Sequence, residues 1–176
     1  MARKQLLIGC GASRERRLRV DYDGDWEDLT TLDFSPDTKP DVVHNLELLP
    51  LPFGNDTFDE IHAYEVLEHT GQQGDFRFFF DQFSDFWRIL RPDGLLVGSS
   101  PHWGSKWAWG DPGHKRIISG ESFIFLNQIE YVNQIGKTPM SDYRWYYRAD
   151  FETQHLQIHG DILLYVLKAV KPSRIT

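Results

Sequence analysis

Cysteine is nearly absent: Cys10 alone in 176 residues excludes an intrachain disulfide, and no Cys/His set at metal-ligand spacing predicts a metal site. A basic excess is missing as well. Lys and Arg number 19 against 26 Asp and Glu, a net charge of −7, so no overall field attracts a polyanion such as DNA. The one dense cationic cluster, Arg14, Arg16, Arg17 and Arg19, reads as a solvated face. No apolar run approaches the roughly 20 residues of a membrane span, and no charged, apolar and small-residue leader opens the chain. The expectation is a cytoplasmic protein without membrane partners. With neither internal repeat nor low-complexity linker, residues 1–176 read as one domain.

What is present begins with Gln5-Leu6-Leu7-Ile8-Gly9-Cys10-Gly11, an apolar run broken by two glycines. A residue without Cβ takes positive φ and lets a ligand approach its amides, so Gly-x-Gly at a strand's carboxyl end suits a nucleotide-like molecule. Asp33 closes the run Leu29 to Leu32, 22 residues beyond Gly11, where an acidic side chain is placed to accept from ribose hydroxyls. Further short apolar runs fall at Val42 and Val43, Ile61 to Val66 and Leu95 to Val97. The spacing of Phe76, Phe79, Phe80, Phe83, Phe86, Trp87 and Leu90 predicts a helix over 76–90, capped by Asp75 and stopped by Pro92, its aromatics filling a core. Residues 152–158 and 162–170, flanking Gly160-Asp161, predict a hairpin.

Together these segments resemble the class I S-adenosylmethionine-dependent methyltransferases, in particular the small type 11-like subgroup. Ile8-Gly9-Cys10-Gly11 is similar to the family's first motif, Leu32-Asp33 to its ribose acid, and Asp41 to Glu47 to its third strand and adenine turn. Leu51-Pro52-Phe53 through Phe58-Asp59, Ala63 to His69, and Arg88 to Leu96 match the family's later segments in order. The resemblance implies an α/β, Rossmann-like, mostly parallel seven-stranded sheet with helices on both faces and a C-terminal antiparallel hairpin. It further implies S-adenosyl-L-methionine as cofactor, held by Gly9, Cys10, Gly11, Asp33, Phe34, Asn45, Leu46 and Glu65. Asn45 stands where aspartate is common, and its amide both donates and accepts. The connection from Arg14 to Asp28 is short for a full helix, so a reduced first crossover is expected.

Glu65 is expected to hold the methionine ammonium, whereas Glu68 and His69 begin the next loop or helix in solvent. A zinc-protease reading of Glu65-x-x-Glu68-His69 fails, since histidine is required where Glu65 stands. After the fifth strand, the loop from Pro101 to His114 carries an unusual load. Trp103, Trp107, Trp109 and Asp111 are expected to bind substrate, with His102 or His114 as general base. The acceptor is unidentified, a small molecule being favoured over protein or nucleic acid. Tyr64-Glu65-Val66-Leu67 differs from the Asp/Asn-Pro-Pro-aromatic tetrad of amino-methylating DNA enzymes, and no Pro-Cys nucleophile occurs. A non-catalytic cofactor-binding module is the competing expectation, and a nicotinamide oxidoreductase a weaker one.

Overall fold

The computed structural model describes residues 2–20 and 24–175. Its seven strands are β1 (Lys4–Ile8), β2 (Asp28–Asp33), β3 (Val42–Val43), β4 (Phe58–Tyr64), β5 (Leu90–Pro101), β6 (Phe151–His159) and β7 (Ile162–Ala169). They form one sheet in the order β3-β2-β1-β4-β5-β7-β6. The first five strands run parallel, and β7 joins antiparallel to both β5 and β6. The Rossmann-like fold with a C-terminal hairpin is therefore present as expected. Strand order reverses between β1 and β4, so a crevice opens beyond their carboxyl ends. Ile8 pairs with both Leu32 and Ala63, which brings Gly9, Asp33 and Glu65 to one edge.

Alternation along the strands divides the core. Leu6, Ile8, Ile61, Ala63, Leu96, Tyr165 and Leu167 join one large cluster, completed by Phe80, Phe83, Phe86 and Ile89 of α1 (Phe76–Ile89). The aromatic stripe fills a core as its spacing predicts, each buried Phe contributing about 1.5–3 kcal/mol. Asp75 caps the helix, its side chain accepting from the Phe78 amide at 3.1 Å. Beyond the helix, Arg91-Pro92-Asp93-Gly94 is already part of β5. Pairing with β4 steps from Phe58 opposite Leu90 to Glu60 opposite Leu95, and Asp93 takes φ +62° within this irregularity. Three further helices follow: α2 (Lys106–Gly110), α3 (Gly120–Ile124) and α4 (Gln128–Gln134). α2 lies inside the segment read as a loop, its first turn capped by the Ser105 hydroxyl.

The first crossover is reduced, as its length demands: no helix occurs among its described residues, and 21–23 of this connection lie outside them. Residues 14–20, without regular secondary structure, and Trp26 cross the second face, packing Leu18 and Trp26 beside Leu7, Cys10 and Tyr64, and Leu18 and Val20 beside Leu95, Val97 and Val166. Arg16 is not the solvated residue its cluster suggests. It is buried, with its guanidinium 3.0 Å from the Glu60 carboxylate. Gln5 Nε2 donates to the same carboxylate at 2.8 Å, Arg3 at 3.0 Å, and His62 Nε2 lies at 2.8 Å. His62 Nδ1 meets the Tyr64 hydroxyl at 2.6 Å, which also accepts from the Leu18 amide. Burial by itself would raise the Glu60 carboxyl, but hydrogen bonds with His62 and Gln5 and the charges of His62 and Arg16 bring it down to about 2.

A carboxyl lowered from 4.5 to about 2 stabilises the fold fully above its unfolded value and loses that contribution as pH falls towards 2. The difference corresponds to about 3 kcal/mol. Denaturant unfolding followed from pH 6 to pH 3 should show this loss beginning near 4.5. Undiminished stability at pH 3 would contradict the ionised network.

Candidate cofactor site

Beyond the sheet's carboxyl edge lies a cavity of about 500 Å3, within the ~300–1,000 Å3 range of small-molecule sites. Gly9, Gly11, Asp33, Phe34, Asn45, Leu46 and Glu65 all line it, joined by His44, Glu47, Val66, His69, Thr70, Gly113 and Lys115. A second cavity, about 340 Å3 beside the start of α1 between Phe76, Phe79, Phe125 and Tyr143, contains none of the expected cofactor positions.

Each glycine of the first turn is required for its own reason. Gly9 has φ +59°, and a Cβ there would lie 2.2 Å from Val66 Cγ2. Gly11 has φ +51°, but a Cβ there would meet no atom within 4 Å, because it borders the cavity. The turn is held from two sides. Asp33 Oδ2 accepts from the Gly11 amide at 2.8 Å and Oδ1 from the Ser35 amide at 2.9 Å. Arg14 donates to the carbonyls of Gly11, Ser13, Thr38 and Lys39. Each Asp33 oxygen retains a lone pair after these bonds, so the buried carboxylate can still accept from a ligand. Across the cavity, Glu65 adopts φ +55°, a sparsely populated region for a non-glycine residue that is enriched at ligand sites. Its amide donates to the Ser99 carbonyl, and its Oε1 accepts from the Ser99 hydroxyl at 2.8 Å. That reversal ends β4 at Tyr64, two residues before the end of the apolar run.

No family model matches this chain, and no curated protein sequence does. Solved structures do match. An S-adenosylmethionine-dependent methyltransferase from Archaeoglobus fulgidus superposes with a TM-score of 0.60 at 16% identity, over 95% of this chain and 86% of the other. The N-methyltransferase NodS from Bradyrhizobium japonicum, in complex with S-adenosyl-L-homocysteine, gives 0.57 at 17% identity over 96% and 78%. A methyltransferase from Mesorhizobium loti gives 0.56 at 15% over 95% and 91%. The fold is that of the class I S-adenosylmethionine-dependent methyltransferases.

Within this methyltransferase fold, the remaining expected residues separate. Cys10 is absent from the cavity lining: its side chain joins Leu7 and Tyr64 on the second face, where burial pushes the thiol up. The chain has left β1 at Ile8, and in the turn between two positive-φ glycines the Cys10 side chain is set against the second face and not towards the cavity. The tryptophans do not wall the cavity either. Trp107 and Trp109 are 55% and 72% exposed, and Trp103 with Trp109 borders a shallow groove near Ser119 and Glu121. His102 occupies another groove, beside Trp103, Leu156 and Leu163, away from the cofactor cavity. α2 carries Trp107 and Trp109 outward, which a reading of the segment as a loop does not reveal.

The loop's end does return to the cavity. His114 packs against His69 with ring centroids 4.6 Å apart, and Asp111, itself exposed, lies 3.8 Å from His114 Nε2. The Asp111 carboxylate also accepts from the Gly113 amide, fixing the turn. Glu68, expected in solvent, is buried, and burial with the neighbouring Glu65 pushes its carboxyl up to about 7. The sequence reading missed this group because His114 lies 45 residues from His69. Glu47 and Lys115 were also missed; they form a 2.8 Å ion pair at the cavity rim, which lowers the Glu47 carboxyl.

Proposed function

We propose that the chain is a methyltransferase domain that binds S-adenosyl-L-methionine in the 500 Å3 cavity and passes its methyl group to a small-molecule acceptor. The observation carrying this reading is that seven of the eight expected cofactor positions, drawn from four separate segments, line that one cavity. Gly9 and Gly11 offer close backbone approach to the amino-acid and sugar parts, and Asp33 accepts from the ribose hydroxyls. Phe34, Asn45 and Leu46 flank the adenine, while Glu65 faces the methionine ammonium.

Methyl transfer from a sulfonium is an in-line displacement, so positioning and exclusion of water supply most of what the protein must do. Bound S-adenosyl-L-methionine would supply the electrophilic methyl group, with Gly9, Gly11, Asp33 and Glu65 holding the molecule at the edge of the sheet. On the acceptor side, the site stands on Asp111 and His114 rather than on His102 and the exposed tryptophans. The absence of a basic field supports a small acceptor over a nucleic acid, and a cytoplasmic setting accords with the single cysteine.

Isothermal calorimetry should give one site per chain for S-adenosylmethionine or its demethylated product, and no comparable affinity for NAD. Tighter NAD binding would overturn the assignment in favour of an oxidoreductase. Asp33→Ala should weaken the cofactor by about 1.5–3 kcal/mol, as expected for hydrogen bonds to a charged group, with circular dichroism unchanged. A folded variant of normal affinity would remove Asp33 from the ribose. Alkylation of a lysate with a transferable cofactor analogue would then identify the acceptor, and binding without any transfer would mark a cofactor-binding module.

A further inference from the structure

Glu68, His69 and His114 each offer one donor atom, and the three atoms lie within 4.8 Å of one another. The partners of their other atoms make the cluster specific. Glu68 Oε2 accepts from the Ser100 hydroxyl at 3.1 Å, whereas its Oε1 is buried with no hydrogen-bond partner. His69 Nδ1 lies 3.0 Å from the Gly113 carbonyl, which can only accept, so the proton sits on Nδ1 and the lone pair on Nε2. The His114 side chain is only 8% exposed, with Nε2 towards Asp111 and Nδ1 buried without a partner. An unpaired buried carboxylate oxygen beside an unpaired buried imidazole nitrogen is costly unless something occupies the space between them.

We propose that Glu68, His69 and His114 bind one divalent transition-metal ion in the wall of the cofactor cavity. Two imidazoles and a carboxylate suit zinc and its neighbours in the first transition row, with an open position for a further ligand. Donors about 2.0–2.2 Å from a tetrahedral ion stand roughly 3.4 Å apart, so side-chain rotations of about 1 Å close the cluster. The Ser100 hydroxyl on Glu68 and the Gly113 carbonyl on His69 already hold the outer atoms of two of the three donors, the arrangement that orients metal ligands. His69 and Gly113 line the cavity, so the open position faces it and accepts an oxygen or nitrogen atom entering from that side. His114 then serves as a ligand in place of the general base its loop suggests.

The test uses the full, tag-free chain after chelation and dialysis, titrated with zinc chloride in calorimetry without any cofactor analogue. Its outcome is thereby independent of methionine-cofactor binding. One zinc per chain is expected, with affinity reduced at least tenfold by His114→Ala, by His69→Ala and by the nearly isosteric Glu68→Gln. His155→Ala and His159→Ala, on strand β6, should leave it unchanged. X-ray absorption of the zinc-loaded protein should show imidazole nitrogens at about 2.0–2.1 Å. Absence of saturable binding in the wild type, or equal binding by a folded Glu68→Gln chain, overturns the proposal.

Discussion

Gly11→Val is expected to reduce S-adenosylmethionine affinity at least a hundredfold. At φ +51° a β-branched side chain is strained by about 1–2 kcal/mol, and its methyl groups project into space that no protein atom fills. If the backbone turns to relieve that strain, the Gly11 amide leaves Asp33 Oδ2, and the anchor between the first turn and β2 is lost as well. Both routes remove the ligand's seat, while nothing in the core is crowded. Calorimetry paired with thermal unfolding separates binding from folding. A stable variant of wild-type affinity would place the cofactor elsewhere.

The largest effect on stability is expected from Glu60→Ala. It removes the carboxylate that faces the buried Arg16 guanidinium and that Gln5 and His62 share. Removing one partner of a buried ion pair costs about 3–5 kcal/mol, because the remaining charge stays desolvated. Urea unfolding of the variant should show that loss at pH 7, and the gap from wild type should narrow as pH falls below 4.5. A change under 1 kcal/mol would mean that the network is solvated.

That Gly9, Gly11 and Asp33 meet at one cavity was legible in the sequence because its determinants are local. Gly9 and Gly11 follow an apolar run directly, and Asp33 ends the next strand at the offset a parallel pair imposes. The α1 stripe was legible for the same reason: a 3.6-residue period records a buried face. What escaped reading depends on contacts distant in the chain. Arg16 looks like one arginine among four until β4 places Glu60 beneath it, 44 residues away. Glu68 and His69 look solvated until the segment after β5 folds back and sets His114 against them. The placing of the tryptophans outside that cavity was not legible, since residue type shows a capacity to bind and not the side to which a short helix turns it.

The strap over the second face has a consequence for how the molecule opens. A helix in that position would hold its own amides in i to i−4 hydrogen bonds, whereas residues 14–20 form neither helix nor strand, and the Leu18 amide leans on the Tyr64 hydroxyl. Their deuterium uptake should therefore follow local release, with an opening free energy well below that of β1 or β4. Acid lowers that threshold further by protonating the carboxylate that tethers Arg16. Arg14 belongs to the same segment and clamps the first turn, so lifting the strap loosens the glycine turn that lines the cavity while the sheet beneath stays paired.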